Sequence, residues 1–349
     1  MKPVPLANVA QLAEFDEIID VRSPGEFAQD HIPGALNFPV LDDAERERIG
    51  TMYKQISAFE AKKLGAALVS YNIARHLKEH FADKPRTWKP LIYCWRGGNR
   101  SGSMAHVLKQ IGFDTAQMKG GYKAYRRSVM EELESLPGHF NFRVVCGPTG
   151  SGKSRLLQAL LKSGAQVLDL EELAAHRGSV LGNLPDASQP PQKMFDSQLW
   201  WALKQFNPSL PVYVEAESKK IGLLRVPDAL LTRMREGSCV RIEVATPLRV
   251  ALLKEEYAHF LTNPAALAEK LDCLVGLYGH ELIASWNALA TQGLWDELVL
   301  ALLEKHYDPA YGKSTLKNYP NYADTTPVVV ENINLAGFSD AARHILEQA

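Results

Sequence analysis

Short apolar runs alternate along the chain with stretches whose apolar positions recur every three or four residues. The apolar runs lie at 18–21, 91–94, 115–118, 142–146, 167–170, 211–215 and 240–244. A stretch of the second kind, with Leu156, Leu157, Leu160 and Leu161, follows the run at 142–146. Such short runs favour buried strands and the longer periodic stretches favour helices, so the pattern predicts parallel sheets covered by helices, an α/β fold.

The length of the chain predicts more than one domain, because 349 residues exceed what a single core usually holds. A predicted helix from Tyr125 to Leu136 is followed by Pro137-Gly138-His139, which is typical of a linker. We therefore predict domains at 1–136 and 137–349. Charged, helix-prone sequence from Asp42 to Tyr71 belongs to the first, and helices from Ala265 to Lys305 form a lid or accessory bundle in the second.

Composition excludes several classes of protein. Hydrophobic residues make up 46% of the chain and charged residues 23%, which indicates a folded protein. The N-terminus is unlike a signal peptide, and no apolar run approaches the roughly 20 residues that span a bilayer, so we expect a cytoplasmic protein without a membrane partner. Four cysteines far apart in sequence argue against a metal site and a disulfide framework. The net charge of −1 means that a nucleic acid would have to meet a local basic patch.

The most informative stretch is the predicted strand that ends at Cys94 and continues into a glycine-rich loop. Arg96 and Arg100 flank Gly97 and Gly98 in this loop, and we expect Ser101 to cap the helix that follows. Backbone N–H groups, a helix N-terminus and two guanidinium groups would stabilise a thiolate and bind an oxyanion. The alternative is a small buried hydrophobic cysteine, but two glycines between two arginines are unsuited to an apolar core.

Four stretches in this order resemble a rhodanese domain. They are Asp20–Phe27, His31–Ala35, the Cys94 loop and Gly120-Gly121-Tyr122. Five residues separate Cys94 from Arg100, one more than the sulfurtransferases of that family usually have, so the cradle is wider. The resemblance places Asp20 and Arg22 near the cysteine loop, where they either form an ion pair that orients it or take part in the chemistry.

The second motif is a complete phosphate-binding loop. It follows the predicted strand at 142–146 and precedes a helix with an apolar stripe, which is the context such a loop requires. Backbone N–H groups would wrap the phosphate, Lys153 would neutralise it, and Ser154 can hold a magnesium ion. The residues assigned to phosphate binding are Gly147, Thr149, Gly150, Ser151, Gly152, Lys153 and Ser154.

Other polar residues are candidates for supporting roles. His176 and Arg177 lie in a loop-rich segment, which either carries a site or only connects elements. Glu215 and Glu217 follow a predicted strand, where a carboxylate can face a phosphate-bound metal. The aromatic residues of 306–311 either stack on a base or pack.

The whole chain resembles the tRNA 2-selenouridine synthase family, which combines a rhodanese-like domain with a P-loop domain. The supporting stretches are Cys94–Gly98, Gly147–Ser154, His176–Ser179, Glu215–Ser218 and Tyr307–Tyr311. The resemblance implies an α/β rhodanese-like domain followed by a doubly wound parallel-sheet P-loop domain with extra helices. It implies a transferase acting on tRNA wobble 2-thiouridine, first geranylating its sulfur with geranyl diphosphate and then inserting selenium from selenophosphate. No tightly bound cofactor is implied, and an enzyme that supplies selenophosphate is an expected partner.

Three alternatives stay open at this point. Cys94 either carries selenium or attacks the activated base carbon. The protein could instead be an ATP-dependent sulfurtransferase with Cys94 as sulfur carrier, or a binding module in which the first domain senses anions. The geranyl chain needs an apolar site, near Trp200-Trp201 or among the helices after Pro247, although a core role suits these tryptophans better.

Overall fold

The computed structural model describes residues 3–319 and 322–348. The chain forms two compact units. The first runs to Glu132 and also includes Pro191–Trp201; the second comprises Leu133–Pro190 and resumes at Ala202. In the part of the chain described, no helix is both long enough and apolar enough to cross a membrane.

The strands are, in chain order, Leu6–Ala7 (β1), Glu17–Asp20 (β2), Leu36–Asn37 (β3), Pro90–Tyr93 (β4), Ala116–Met118 (β5), Phe142–Cys146 (β6), Gln166–Leu168 (β7), Val212–Glu215 (β8), Lys220–Ile221 (β9), Leu224–Arg225 (β10), Ser238–Glu243 (β11) and Val328–Val329 (β12).

The α-helices are Pro24–Gln29 (α1), Asp43–Gln55 (α2), Ala58–His76 (α3), Asn99–Ile111 (α4), Gly121–Ser135 (α5), Lys153–Lys162 (α6), Leu170–Ala174 (α7), Gln192–Gln205 (α8), Asp228–Arg235 (α9), Thr246–Glu256 (α10), Ala258–Leu261 (α11), Pro264–Asp272 (α12), Val275–Thr291 (α13), Trp295–Leu302 (α14), Asp308–Asn318 (α15) and Leu335–Glu347 (α16). Short 3₁₀ turns cover Val9–Glu14 and Leu136–His139, and π-helical turns cover Leu77–Phe81 and Leu303–Tyr307.

The first unit is built on a five-stranded sheet in the order β1-β5-β4-β2-β3. Its strand pairs are all parallel. β4 is central, and all four of its residues are buried. Because the carboxyl end of a central parallel strand opens at one edge of the sheet, Cys94 enters a loop bordered by the neighbouring strands.

The segment 191–201 joins the first unit although it lies far along the chain. The Ser197 hydroxyl donates to Oδ1 of the buried Asp30 at 2.7 Å. The Trp200 ring meets the Tyr125 ring edge-on, with centroids 5.6 Å apart, and Trp200 is only 2% exposed. The tryptophan therefore has the core role that the sequence favoured.

The second unit has a parallel sheet in the order β12-β11-β6-β8-β7. The central strand β6 leads into the phosphate loop, and α6 begins after it. Leu156, Leu157 and Leu160 of α6 are fully buried in the core, as their spacing predicts, whereas Leu161 of the same predicted stripe is 56% exposed. Residues 258–302 add the accessory helices α11–α14, whose own apolar core includes Trp286.

Several predicted boundaries were wrong. Helix α4 begins at Asn99, with Gly98 rather than Ser101 in the capping position, because the chain already turns at Gly97, whose φ is +65°. Pro137-Gly138-His139 is part of a 3₁₀ turn in which Pro137 is buried, so these residues are not an open linker. The charged stretch from Asp42 divides into α2 and α3, since Ser57 caps a new helix.

Candidate functional site

The sulfur of Cys94 sits at the start of a chain of hydrogen bonds in the first unit. Cys94 is 3% exposed, and its Sγ accepts a hydrogen bond from the Ser101 hydroxyl at 3.1 Å. That hydroxyl accepts from the side-chain amide of Gln117 at 2.8 Å. The amide of Gln117 orients the Ser101 hydroxyl so that its hydrogen points at the sulfur. Ser101 is thus a thiol partner in the first turn of α4.

The backbone of the cysteine loop is held by the start of α5. The Tyr122 N–H donates to the Cys94 carbonyl at 2.8 Å, and the Lys123 N–H donates to the Trp95 carbonyl at 3.0 Å. This close approach requires a glycine at 121, where φ is +58°. A Cβ there would lie 2.3 Å from the Cys94 carbonyl oxygen and 2.4 Å from the Gly97 nitrogen.

We therefore expect Gly121→Ala to displace the cysteine loop and to lower the free energy of unfolding by about 1–3 kcal/mol, because the clash is with backbone. Urea unfolding of the purified protein measures this loss. Gly138→Ala is the matched control, since its Cβ would meet nothing within 4 Å. Equal stability of the two variants would contradict the role of Gly121.

The arginines near Cys94 have different environments. Arg96 is exposed on the loop. Arg100 donates to a Glu26 carboxylate oxygen at 2.8 Å, and, against the opposing effect of burial, this bond lowers the pKa of Glu26. Beside the loop, a groove of about 800 Å³ is lined in part by Gly97 and Gln117.

Asp20 and Arg22 form a buried ion pair. Arg22 is 1% exposed, its Nη2 lies 2.6 Å from an Asp20 oxygen, and it also donates to the Asp30 carbonyl at 2.7 Å. Its guanidinium lies 4.0 Å from the centre of the Tyr122 ring. Because Tyr122 in turn holds the Cys94 carbonyl, this arrangement fits the orienting role that the sequence left open.

The phosphate loop lies in the second unit, between β6 and α6. Gly150 and Gly152 have φ values of +78° and +75°, in the left-handed region that suits glycine. Lys153 Nζ donates to the Gly147 carbonyl at 3.0 Å and lies 5.6 Å from the centre of the Tyr311 ring. The Ser151 hydroxyl is buried and has no hydrogen-bond partner. An anion in this loop would meet the Lys153 ammonium and the N-terminus of α6.

Carboxylates form one wall of the cavity at this loop. The Ser154 hydroxyl donates to Glu171 at 3.0 Å, and the Glu171 N–H donates to Glu215 at 2.7 Å. Glu217 lines the cavity, whereas Glu215 is buried and supports Glu171. Desolvation and the neighbouring Asp169 raise the pKa of Glu215 well above its ordinary value.

A magnesium ion in this cavity would take most of its ligands from the phosphate groups of a bound substrate and from water. Among residues 3–319 and 322–348, no group of three His, Cys, Asp or Glu side chains is arranged to hold a metal. Ser154, Glu171 and Glu217 offer oxygen atoms of the kind that magnesium prefers, and phosphate oxygens and water would complete its shell.

Glu217 gives the second unit a measurable pH dependence. Burial, then the charge of Glu171, raise the pKa of Glu217 from 4.5 to about 8. Between these values the native protein holds a proton that the unfolded chain releases, so we expect this contribution to stability to fall as pH rises from about 5 to 8. Glu217→Gln should reduce the slope by up to about 1 kcal/mol per pH unit, measured by urea unfolding at several pH values. Parallel curves for the two proteins would contradict the assignment.

Two positioning contacts at the phosphate loop had no clear signal in the sequence. Arg249 donates to the Thr149 carbonyl at 2.9 and 2.7 Å, and its Nη2 lies 2.6 Å from Asp308. The Gly147 N–H donates to the Tyr311 hydroxyl at 2.6 Å. Tyr311 therefore forms a hydrogen bond to the phosphate loop. For the aromatic residues of 306–311, the sequence indicated only stacking on a base or packing.

The remaining predicted polar residues reach the same cavity, whose volume is about 700 Å³. His176 and Arg177 line it together with Lys153, Ser154 and Glu217. The Arg177 guanidinium donates to the Glu256 carbonyl at 2.5 Å, and burial lowers the pKa of His176. The structure thus brings together residues that are distant in sequence.

Two of the four cysteines meet in the second sheet. Cys146 is fully buried at the end of β6, and its Sγ lies 3.7 Å from that of Cys239. Both are free thiols. Cys146 is a buried strand residue, in agreement with its position in an apolar run.

Two protein-family models match the chain. A rhodanese-like domain matches residues 6–128, and a tRNA 2-selenouridine synthase AAA domain matches residues 140–291. Their order confirms the predicted fold class, an α/β rhodanese-like domain followed by a P-loop domain.

Curated relatives with the name tRNA 2-selenouridine synthase match more of the chain. One from Nitrosomonas europaea is 37% identical over 261 residues, which cover 73% of this chain and 66% of the relative. One from Shewanella denitrificans is 34% identical, with 88% of this chain and 91% of the relative covered. One from Alcanivorax borkumensis is 33% identical, with 84% and 88% covered. The chain therefore spans just under two thirds of the first relative and most of the other two.

Proposed function

The chain belongs to the tRNA 2-selenouridine synthase family, and from this we propose that it converts 2-thiouridine at the wobble position of tRNA to 2-selenouridine. The proposed route has two steps. Geranyl diphosphate alkylates the sulfur, and selenium from selenophosphate then replaces the S-geranyl group. We assign the first step to residues 137–349 and the second to residues 1–136.

The first step needs a site that stabilises diphosphate as a leaving group. The thiocarbonyl sulfur attacks C1 of the geranyl group, a C–S bond forms, and the C–O bond breaks with its electron pair passing to diphosphate. We assign stabilisation of the growing charge to Lys153, which lies in the phosphate loop, and to the Ser154 hydroxyl, which now donates to Glu171. Burial and the charge of Glu171 raise the pKa of Glu217, which favours its neutral form and limits the negative charge opposite the diphosphate.

The second step needs a selenium nucleophile and a better leaving group than thiocarbonyl sulfur. Cys94 serves this step by bonding transiently to C2: its thiolate displaces the geranyl thiolate, which leaves with the electrons of the C–S bond. The selenium of selenophosphate then attacks C2 and displaces Sγ, and water cleaves the Se–P bond to release phosphate. Carriage of selenium on Sγ would need an oxidant, because selenophosphate holds its selenium at the selenide level.

The observation that carries the proposal is the pairing of two anion sites with different chemistry in one chain. One centres on a thiol with an oriented hydroxyl donor, and the other on a lysine in a phosphate loop. Transfer of selenium to a thioamide carbon calls for a nucleophilic site and for activation of the sulfur. We place this activity in the cytoplasm, with tRNA as substrate and a selenophosphate-supplying enzyme as partner.

The alternative is activation of the substrate by ATP. The small molecule that the reaction releases distinguishes this alternative from geranylation. The purified protein is mixed with a 2-thiouridine tRNA and either geranyl diphosphate or ATP, and released diphosphate, ADP and AMP are measured. The proposal expects tRNA-dependent release of diphosphate from geranyl diphosphate. Formation of ADP or AMP coupled to tRNA modification, with geranyl diphosphate inert, would favour the ATP-dependent sulfurtransferase.

A further inference from the structure

An apolar cavity lies beside the phosphate loop, among the helices that follow Pro247. Leu298 and Leu302 of α14 face it, and Leu267 of α12 lies on another side. All three are at least 95% buried. Its lining is Thr149, Leu181, Leu253, Lys254, Tyr257, Phe260, Leu261, Leu267, Trp295, Leu298, Val299, Leu302 and Tyr307.

This cavity adjoins the one that contains the phosphate-binding residues. Thr149, Leu253, Tyr257 and Tyr307 line both spaces. Thr149 belongs to the phosphate loop itself. A molecule whose anionic head lies at Lys153 therefore has an apolar space directly next to its head.

Two polar side chains at the border of the cavity have partners. The Tyr257 hydroxyl lies 3.3 Å from the Ser179 hydroxyl, and the Lys254 ammonium pairs with Asp296. Apart from these two and Thr149 of the phosphate loop, the described lining is aliphatic or aromatic. A nucleobase placed here would lose hydrogen bonds to water without replacement, whereas each buried CH₂ of a hydrocarbon chain raises affinity about fourfold.

The cavity is small, about 60 Å³. We propose that it holds the part of the hydrocarbon chain nearest the diphosphate and that Leu267, Leu298 and Leu302 limit how much of the chain enters. The inference rests on the proposed function, since it takes the ligand head to be diphosphate at Lys153. It adds the location of the chain and the side chains that limit it. Changing the volume at these leucines should change which chain length is transferred.

The test is a competition among dimethylallyl, geranyl and farnesyl diphosphates at equal concentrations with a 2-thiouridine tRNA. The S-alkylated nucleosides are quantified by mass spectrometry. We expect Leu298→Ala to raise the farnesyl-to-geranyl ratio at least about fivefold, because it lengthens the space, and Leu298→Phe to favour dimethylallyl. Leu302→Ala is a second enlarging variant if the phenylalanine protein does not fold.

Leu271→Ala is the matched control. Leu271 of α12 is fully buried in the same helical core but does not line the cavity. It should lose stability without a change in chain-length ratio. Unchanged ratios in Leu298→Ala and Leu302→Ala, with geranyl transfer intact in the wild type, would overturn the inference and leave the proposed function standing.

A binding measurement covers the case in which the wild type transfers no isoprenoid group, which would overturn the proposed function. Trp295 lines the cavity, so the fluorescence difference between wild type and Trp295→Phe reports on its occupancy. A response to geranyl diphosphate but not to inorganic diphosphate would support the chain site. No response to either would overturn it.

Discussion

Replacing Lys153 with alanine is expected to lower the rate of geranyl transfer by about 100-fold or more. The ammonium lies within the phosphate loop, 3.0 Å from the Gly147 carbonyl. A bound diphosphate would take its place beside this cation, and charge develops on the leaving oxygen as the C–O bond breaks. Loss of one well-placed charge donor typically costs two to three orders of magnitude in rate.

The measurement is the initial rate of S-geranyl nucleoside formation in tRNA that carries 2-thiouridine. Lys162→Ala is the matched control, because Lys162 is an exposed lysine at the other end of α6. That variant should retain its activity. In Lys153→Ala, selenation of tRNA that is already geranylated should persist. Loss of both steps, or a normal geranylation rate, would contradict the role given to Lys153.

Replacing Cys94 with alanine is expected to abolish selenation, by about 1,000-fold or more, and to leave geranylation intact. The thiol lies in the first unit and accepts a hydrogen bond from Ser101. Alanine is of similar size, so the buried site should keep its structure. S-geranyl tRNA should then accumulate when both co-substrates are present.

The control for this variant is Cys273→Ala, since Cys273 is an exposed free thiol. This variant should keep the wild-type rates of geranylation and selenation. Denaturing electrophoresis after incubation with S-geranyl tRNA alone adds information on the role of Cys94. A covalent protein–tRNA adduct that requires Cys94 supports transient bonding of its sulfur to C2. Equal loss of both steps in Cys94→Ala would contradict the division of labour.

Much of the fold was predictable because its signals are local. The strand at 142–146 was predicted at its observed bounds, since an apolar run there leads directly into a complete phosphate loop. The central strand of the first unit, Pro90–Tyr93, was also recognisable from its apolar run. Helix ends were less predictable, and Ser101 shows why. A serine suits a helix cap, but the left-handed Gly97 starts the helix earlier and turns the hydroxyl toward sulfur.

Only those residues of the candidate site that belong to sequence motifs were predictable. Cys94 and Lys153 stand in motifs, whereas Gln117, Glu171 and Arg249 become visible only when the sheet brings distant segments together. Glu171 has one weak signal, because it follows a strand that neighbours others at the same sheet edge. Arg249 has none, since an arginine in a helix is usually solvated.

Two features of the structure depend on long-range packing and had no signal in the sequence. The segment 191–201 belongs to the first unit because Ser197 reaches the buried Asp30, a contact across nearly half the chain. The apolar cavity depends on leucines from four helices, whose spacing indicates only a buried face. The hydrophobic pattern predicts which residues are buried, but it does not indicate which of the buried residues line a cavity.

The central claim is that sulfur is first alkylated and then replaced by selenium, and nucleoside mass spectrometry tests it most directly. Purified wild-type protein is incubated with 2-thiouridine tRNA and with geranyl diphosphate and selenophosphate, singly and together. The account predicts S-geranyl-2-thiouridine with the first reagent alone and 2-selenouridine when the second is added. Selenouridine formed from selenophosphate without geranyl diphosphate, or an unchanged nucleoside in every mixture, would contradict it.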